Sequence, residues 1–318
     1  MSHNQCHALS RRAFLTAGTG LVLATTIPAA EATAQSERII DIHQHTNYHG
    51  RSAEELLAHQ RTMGITRTIL LPAGSLIDSP ATHNGRSNGL AAQAGGNETV
   101  LAIARQYSDE FLFGANEVSD LPTARKEIEK YLKLGAVILG EQKFNVECDS
   151  QRSQLLYTLA AEYQVPILLH FQHHRYNLGF ERFHAVLEKF PKTNFIGHAQ
   201  TWWGNIDKNH DQTQMYPKGP VTPGGLTDRY LGDYPNMYAD LSAGSGLNAL
   251  TRDEDHTRGF FERHQDKLVY GSDCADRFGR GKECQGAQTI ATIRRLASSS
   301  AIERKLLYEN ARKLFRLA

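Results

Sequence analysis

The sequence contains few cysteines, no excess of either charge and no long apolar segment in its main part. Four cysteines among 318 residues are too few for a disulfide-built scaffold, and none lies in a Cys-x-x-Cys pair. The 35 basic and 34 acidic residues give a net charge of +1, so no global field would attract nucleic acid. No apolar run of about 18 residues or more follows the N-terminal region, so no spanning helix is expected there.

The first 34 residues have the order of an export signal. Ser10-Arg11-Arg12-Ala13-Phe14-Leu15 precedes an uncharged, mildly apolar stretch, and Ala32-Thr33-Ala34 provides a small-x-small cleavage pattern. The paired arginines resemble the twin-arginine type. We therefore expect a signal over residues 1–34, export by the twin-arginine machinery, a periplasmic or secreted location and no stable membrane anchor after cleavage. An uncleaved N-terminal anchor is the alternative.

Residues 35–318 show one repeated rhythm. Eight short apolar runs alternate with helical patterns and are typical of strands buried on both faces. The runs cover residues 39–42, 68–71, 111–115, 136–140, 165–169, 194–197, 237–241 and 268–271. Eight strand–helix units in one domain predict an α/β protein, a single (β/α)8 TIM barrel. A Rossmann fold is disfavoured because Asp-Ile-His-Gln-His, rather than a glycine-rich motif, follows the first run.

Two connections are unusually long. Residues 73–99 follow the second run and are rich in Gly, Asn and Ser, whereas residues 200–235 follow the sixth and are rich in Gly, Pro and aromatic residues. In a barrel, loops after strands lie on the face that binds substrate. We expect both loops to help determine specificity.

Chemistry-bearing side chains recur where the predicted strands end. They are His43 and His45 after strand one, Glu141 and Lys143 at strand four, His170 at strand five, His198 at strand six and Asp273 at strand eight. Alternation along a strand places His43 and His45 on one face. A single strand-end histidine is often a core residue, but four histidines and a carboxylate in this position predict a catalytic site.

This order of residues resembles the amidohydrolase superfamily of metal-dependent barrel enzymes. The last residues, Glu309-Asn310-Ala311-Arg312-Lys313-Leu314-Phe315, resemble the ending of the amidohydrolase-related branch. That branch includes aminocarboxymuconate semialdehyde decarboxylase and its hydrolase relatives. The resemblance covers about residues 38–317.

The resemblance implies a role for each strand-end residue. His43, His45, His170 and Asp273 would bind a divalent metal, with Zn²⁺ favoured over Mn²⁺ or Fe²⁺. Asp273 would also accept a proton from water, and His198 would hydrogen-bond the substrate carbonyl or bind a second metal. Whether the site holds one ion or two is left open. Glu141 is expected as a ligand or near-ligand.

Four residues are candidates for substrate binding. They are Lys143, His173, Trp202 and Trp203. Lys143 could bridge two metals, pair with Glu141 or bind a substrate carboxylate. The adjacent tryptophans could form an apolar wall for a substrate ring, or could pack into the protein. Of Cys148, Cys274 and Cys284, one pair could form a disulfide, and the sequence does not say which.

The favoured function is a periplasmic, metal-dependent hydrolase of a small molecule. Its substrate would be a lactone, ester or amide, in which a C–O or C–N bond is cleaved by activated water. A non-oxidative decarboxylase of the same branch fits the same residues. A binding protein on a degenerate barrel is the third alternative, and the assembly into a homo-oligomer is left open.

Overall fold

Each of the eight predicted runs overlaps a strand in the computed structural model, which describes residues 38–77, 79 and 94–317. The strands are β1 (Ile40–Gln44), β2 (Arg67–Leu70), β3 (Phe111–Phe113), β4 (Leu139–Gln142), β5 (Ile167–His170), β6 (Phe195–His198), β7 (Met237–Asp240) and β8 (Leu268–Val269). The predicted signal over residues 1–34, and most of the loop after β2, lie outside the described residues.

All strand pairs are parallel, and neighbours in the chain are neighbours in the sheet. β1 to β3 form one group and β4 to β8 form another. A bridge between Ala115 and Leu139 joins β3 to β4. On the other side, Ile42 N donates to Tyr270 O at 3.1 Å and joins β1 to the end of β8. The chain is a (β/α)8 barrel, as predicted.

Helices follow the strands and cover the outside of the barrel. They are α1 (Ala53–Thr62), α2 (Asn97–Gln106), α3 (Ala124–Lys133), α4 (Gln151–Tyr163), α5 (Phe183–Lys189), α6 (Ala199–Gly204), α7 (Leu226–Asp233), α8 (Ala243–Thr251), α9 (Glu254–His264), α10 (Gln285–Leu296), α11 (Ser300–Arg304) and α12 (Asn310–Leu314). The predicted capping box begins α1: Glu55 N donates to Ser52 Oγ, and Ser52 N donates to Glu55 Oε2. No described helix is long and apolar enough to cross a membrane.

Two apolar layers hold the barrel together. The inner layer contains branched side chains from several strands, closed below by Tyr308, Ala311, Leu314 and Phe315 of the C-terminal segment. The outer layer packs the other strand faces against the helices. Because apolar packing fills the lower interior, the polar strand-end residues are confined to the upper end of the barrel.

The long connection after β6 is partly helical. The short helix α6 follows β6 directly, and α7 occupies residues 226–233 of the predicted loop. The irregular part between them is residues 205–225. The length of this connection is therefore confirmed, although its first residues form a helix rather than a loop.

Candidate metal centre

The structure brings the predicted strand-end residues together at the mouth of the barrel. His43 lies on β1 and His45 directly follows that strand. Glu141 lies on β4, His170 on β5 and His198 on β6, and Asp273 follows β8. The four histidines and Glu141 are buried, and the side chain of Asp273 is 12% exposed. The backbone N–H of Asp273 donates to His43 O at 2.8 Å, which ties the end of the last strand to the first.

Glu141 lies between two sets of imidazoles. Its Oε1 atom is 2.5 Å from His170 Nδ1 and 3.6 Å from His198 Nε2. Its Oε2 atom is 3.4 Å from His45 Nε2 and 3.6 Å from His43 Nε2. One carboxylate therefore faces both sets of potential metal ligands.

His43, on β1, and His45, directly after it, turn their Nε2 atoms toward each other. His43 Nδ1 donates to Asp240 Oδ2 at 2.7 Å, and His45 Nδ1 donates to Leu71 O at 2.8 Å. In neutral imidazoles both Nε2 atoms then carry lone pairs, and they lie only 3.1 Å apart. Such a pair requires a shared cation, either a proton or a metal ion.

The electrostatics of the site favour positive charge. Burial by itself would lower the pKa of His43, but the carboxylates of Asp273 and Asp240 outweigh it and raise that pKa well above its usual range. Burial would raise the pKa of Glu141, but the charges of Lys143 and His170 hold it well below its usual range. Glu141 therefore stays ionised beside the imidazoles.

Asp240 is a site residue that the sequence analysis did not single out. Its Oδ2 atom accepts from His43 Nδ1 and from Ser242 Oγ, and lies 3.2 Å from His198 Nδ1. Gly271 allows this approach, because a Cβ there would come within 2.5 Å of Asp240 Oδ1. The sequence could have indicated Asp240 by its position, because it ends strand seven just as the other candidate residues lie at the ends of their strands.

Two buried oxygens test whether these residues fit a divalent metal. Glu141 Oε2 and Asp273 Oδ1 have no hydrogen-bond partner in the described structure. An unpartnered buried carboxylate oxygen is costly unless a cation neutralises it. Both oxygens lie within 3.8 Å of the Nε2 atoms of His43 and His45. Imidazole and carboxylate donors suit Zn²⁺, Mn²⁺ and Fe²⁺, so the residues fit the predicted metal.

The sequence match decides the family. A family model described as amidohydrolase matches residues 40–317. This chain belongs to the amidohydrolase family. Comparison with curated proteins gives no significant sequence match.

Solved structures similar to this amidohydrolase include both decarboxylases and hydrolases. A 2,6-dihydroxybenzoate decarboxylase from Rhizobium has a TM-score of 0.56 and 14% identity, over 88% of this chain and 99% of its own. A probable 2-pyrone-4,6-dicarboxylic acid hydrolase from Acinetobacter baumannii has a TM-score of 0.57 and 11% identity, over 87% and 99%. A manganese complex of 5-carboxyvanillate decarboxylase from Novosphingobium aromaticivorans has a TM-score of 0.52 and 14% identity, over 82% and 79%. At these identities the likeness shows a shared fold and nothing about the reaction.

Tyr48 and Lys143 lie at the edge of the amidohydrolase site. The negative charge of Asp273, together with burial, raises the pKa of the Tyr48 hydroxyl, so Tyr48 remains a hydrogen-bond donor. Lys143 is half-buried, with its Nζ atom 5.9 Å from the ring centre of Tyr176. Burial and the charge of Lys143 lower the pKa of His170 to about 4. His170 is therefore neutral at pH 7, as a metal ligand must be.

His173 lies beside a cavity next to the site. The cavity has a volume of about 430 Å³ and is also lined by Gln172, Asn177 and Thr201. His170 Nε2 is 3.2 Å from Gln172 Oε1, which connects the cavity lining to the candidate ligands. His173 therefore lines a cavity near the candidate ligands, and its role in substrate binding stays a prediction.

The tryptophans do not form the predicted substrate wall. Trp202 and Trp203 are 0% and 2% exposed. Trp202 stacks on Phe171 and covers Gly197, whereas Trp203 Nε1 donates to Asp240 O at 3.0 Å. Because α6 begins directly after β6, both indoles turn into the protein. Trp203 instead supports the backbone of Asp240.

Proposed function

We propose that this amidohydrolase is a hydrolase whose site holds two divalent ions, with Glu141 shared between them. The position of Glu141, between His43 and His45 on one side and His170 and His198 on the other, carries this proposal. His43, His45 and Asp273 would hold one ion, and His170 and His198 the other. The substrate would be a small lactone, ester or amide.

Bound ions of this kind polarise a carbonyl oxygen and lower the pKa of water toward neutrality. The protein's own residues supply the rest of the chemistry. Asp273, ionised and within reach of His198 Nε2 at 3.6 Å, would accept a proton from the attacking water and return it to the leaving group. Tyr48 would donate a hydrogen bond at the same carboxylate and keep it oriented.

His198 and Lys143 would position the substrate. Burial would lower the pKa of His198, but hydrogen bonds to Asp240 and Asp273 outweigh it and raise that pKa. With a proton on Nε2, His198 would donate to the substrate carbonyl, whereas in its neutral form it would bind the second ion. Lys143 would bind an anionic group of the substrate at the edge of the site.

We also propose that the protein acts in the periplasm after twin-arginine export. The sequence order of residues 10–34 supports this location. Export of an already folded protein would allow the catalytic ions to be bound before translocation. A small-molecule substrate then has to be available outside the cytoplasm.

The second candidate function is a non-oxidative decarboxylase. Lys143 beside Glu141 favours it, because a lysine at the edge of the site can bind a substrate carboxylate. In that case a single ion would suffice to bind substrate oxygens. The number of ions therefore separates the two functions.

Manganese binding tests the proposal, because Mn²⁺ prefers oxygen and nitrogen ligands to thiolates. Metal-free protein would be titrated with Mn²⁺ and examined by electron paramagnetic resonance. We expect two spin-coupled ions in the native protein and at most one, uncoupled, in Glu141→Gln. Glu147→Gln is the matched control, since Glu147 is exposed and paired with Arg182.

The activity assay uses the Mn²⁺-loaded protein. Lactones and aryl esters would be tested for water-dependent cleavage, and hydroxylated aromatic acids for release of carbon dioxide. A single Mn²⁺ in the native protein, with carbon dioxide release, would replace the hydrolase by the decarboxylase. Absence of any Mn²⁺ binding would overturn the metal-dependent mechanism altogether.

A further inference from the structure

A second cluster of metal-ligand side chains lies outside the site described above. His59 comes from α1, Cys274 from the loop after β8 and Cys284 from the residue that caps α10. All three are buried, with exposures of 0%, 2% and 0%. None of them takes part in the proposed hydrolysis.

The atoms of this cluster converge closely. Cys274 Sγ is 3.8 Å from Cys284 Sγ, and Cys284 Sγ is 3.5 Å from His59 Nε2. In a tetrahedral zinc site with Zn–S of about 2.3 Å and Zn–N of about 2.0 Å, the S–S edge is about 3.8 Å and the S–N edge about 3.5 Å. The observed separations match both edges.

Two further donors are within reach of the cluster. Met63 Sδ is 3.5 Å from Cys284 Sγ, and Asp276 Oδ2 is 3.6 Å from His59 Nε2. Either could complete a four-ligand site. A thioether in the fourth position favours Cu⁺, whereas a carboxylate favours Zn²⁺.

We propose that His59, Cys274 and Cys284 form a second, non-catalytic metal site for one thiophilic ion, Zn²⁺ or Cu⁺. Such an ion would join α1, α10 and the loop after β8. Cys274 directly follows Asp273, so the ion would hold the backbone that carries this catalytic candidate. The site does not depend on the hydrolase proposal, because its ligands are distinct from the strand-end residues.

The third cysteine provides a matched control. Cys148 is also buried, but its Sγ atom contacts Gly179 O at 3.2 Å and lies in none of the described ligand groups. Cys284→Ala and Cys148→Ala therefore each remove one buried thiol. Only the former should disturb the ion.

The experiment measures thiophilic metal in native protein purified without chelators. We expect about one equivalent of Zn or Cu beyond the ions retained by the strand-end residues, lost in Cys284→Ala and retained in Cys148→Ala. Replacement by Co²⁺ should give an intense thiolate-to-cobalt charge-transfer band in the native protein. That band reports on the folded native chain, so a variant that fails to fold does not decide the result.

The variants Met63→Leu and Asp276→Asn are then compared to identify the fourth ligand. The variant that lacks this ligand should bind the ion at least tenfold more weakly. Two results would overturn the proposal. One is native protein whose intact mass shows the loss of two hydrogens, from a Cys274–Cys284 disulfide, with no thiophilic ion. The other is native protein with two free thiols, no such ion and no cobalt charge-transfer band.

Discussion

Asp240 Oδ2 lies 2.7 Å from His43 Nδ1 and determines which nitrogen of that imidazole faces the metal ligands. The same oxygen lies 3.2 Å from His198 Nδ1, so one carboxylate orients two candidate ligands. Burial would raise the pKa of Asp240, but the charge of His43 and the hydrogen bonds from both histidines lower it. Asp240 is therefore a positioning residue that remains ionised.

Replacing Asp240 should weaken metal binding without removing a ligand. We expect Asp240→Asn to lower the affinity for Mn²⁺ about ten- to a hundredfold, the usual effect of losing a carboxylate behind a ligand histidine. Competition with a chelator would measure it. Asp228→Asn, which changes a carboxylate paired with His264 on the outer helices, should leave the affinity unchanged. Equal affinity in both variants would contradict the positioning role.

Removal of the ions that we propose for the site should destabilise the fold. Without them, Glu141 Oε2 and Asp273 Oδ1 are buried without partners. At a Mn²⁺ concentration a hundred times the Kd, binding adds about 2.7 kcal/mol to the free energy of unfolding. Thermal unfolding of the metal-free protein with and without Mn²⁺ measures this difference. The Glu141→Gln, Asp273→Asn double variant should show little response, and a full response there would place the ions elsewhere.

Trp202 should contribute to stability rather than to substrate affinity. Its indole is fully buried, so we expect Trp202→Ala to lower the free energy of unfolding by about 3–5 kcal/mol. Denaturant titration measures the change. Phe278→Ala is the control, because that ring is 68% exposed and its removal should cost about 0.5 kcal/mol or less. If Trp202→Ala raised KM and left stability unaltered, Trp202 would contact the substrate, as the sequence suggested.

The Asp228–His264 pair predicts a dependence of stability on pH. Burial would raise the pKa of Asp228, but the hydrogen bond from His264 and the charge of Arg263 lower it in the folded protein. A lowered carboxylate pKa adds stability above the unfolded pKa of about 3.9, which is lost as the pH falls through the folded pKa. We expect Asp228→Asn to cost about 1–2 kcal/mol at pH 7.

That difference between Asp228→Asn and the native protein should shrink as the pH falls below about 4, because the carboxylate of the unfolded chain then takes up a proton, and it should be lost once the pH falls through the lower pKa of the folded protein. Denaturant titrations at several pH values measure it. Glu254→Gln, which removes an exposed partner of Arg295, should change stability much less at every pH. A difference that is constant from pH 7 to pH 3 would contradict the ionic origin of the effect.

Local patterns were sufficient for the elements of the fold and for most of the candidate site. Eight apolar runs predicted eight strands, because strands buried on both faces need apolar residues throughout. The capping box at Ser52 likewise depends only on residues near it in the chain. Strand ends in a barrel meet at one face, so their positions in the chain were enough to group His43, His45, Glu141, His170, His198 and Asp273.

The contacts between distant residues required the tertiary structure. The burial of Trp202 and Trp203 follows from the direction in which α6 leaves β6, and the role of Asp240 from its closeness to His43, 197 residues away in sequence. The closeness of Cys284 to His59 likewise joins residues 225 positions apart. Preferences that act between near neighbours in the chain specify which segments form strands and helices. Which side chains share a buried space depends on closure of the barrel, because packing brings together residues that no local pattern relates.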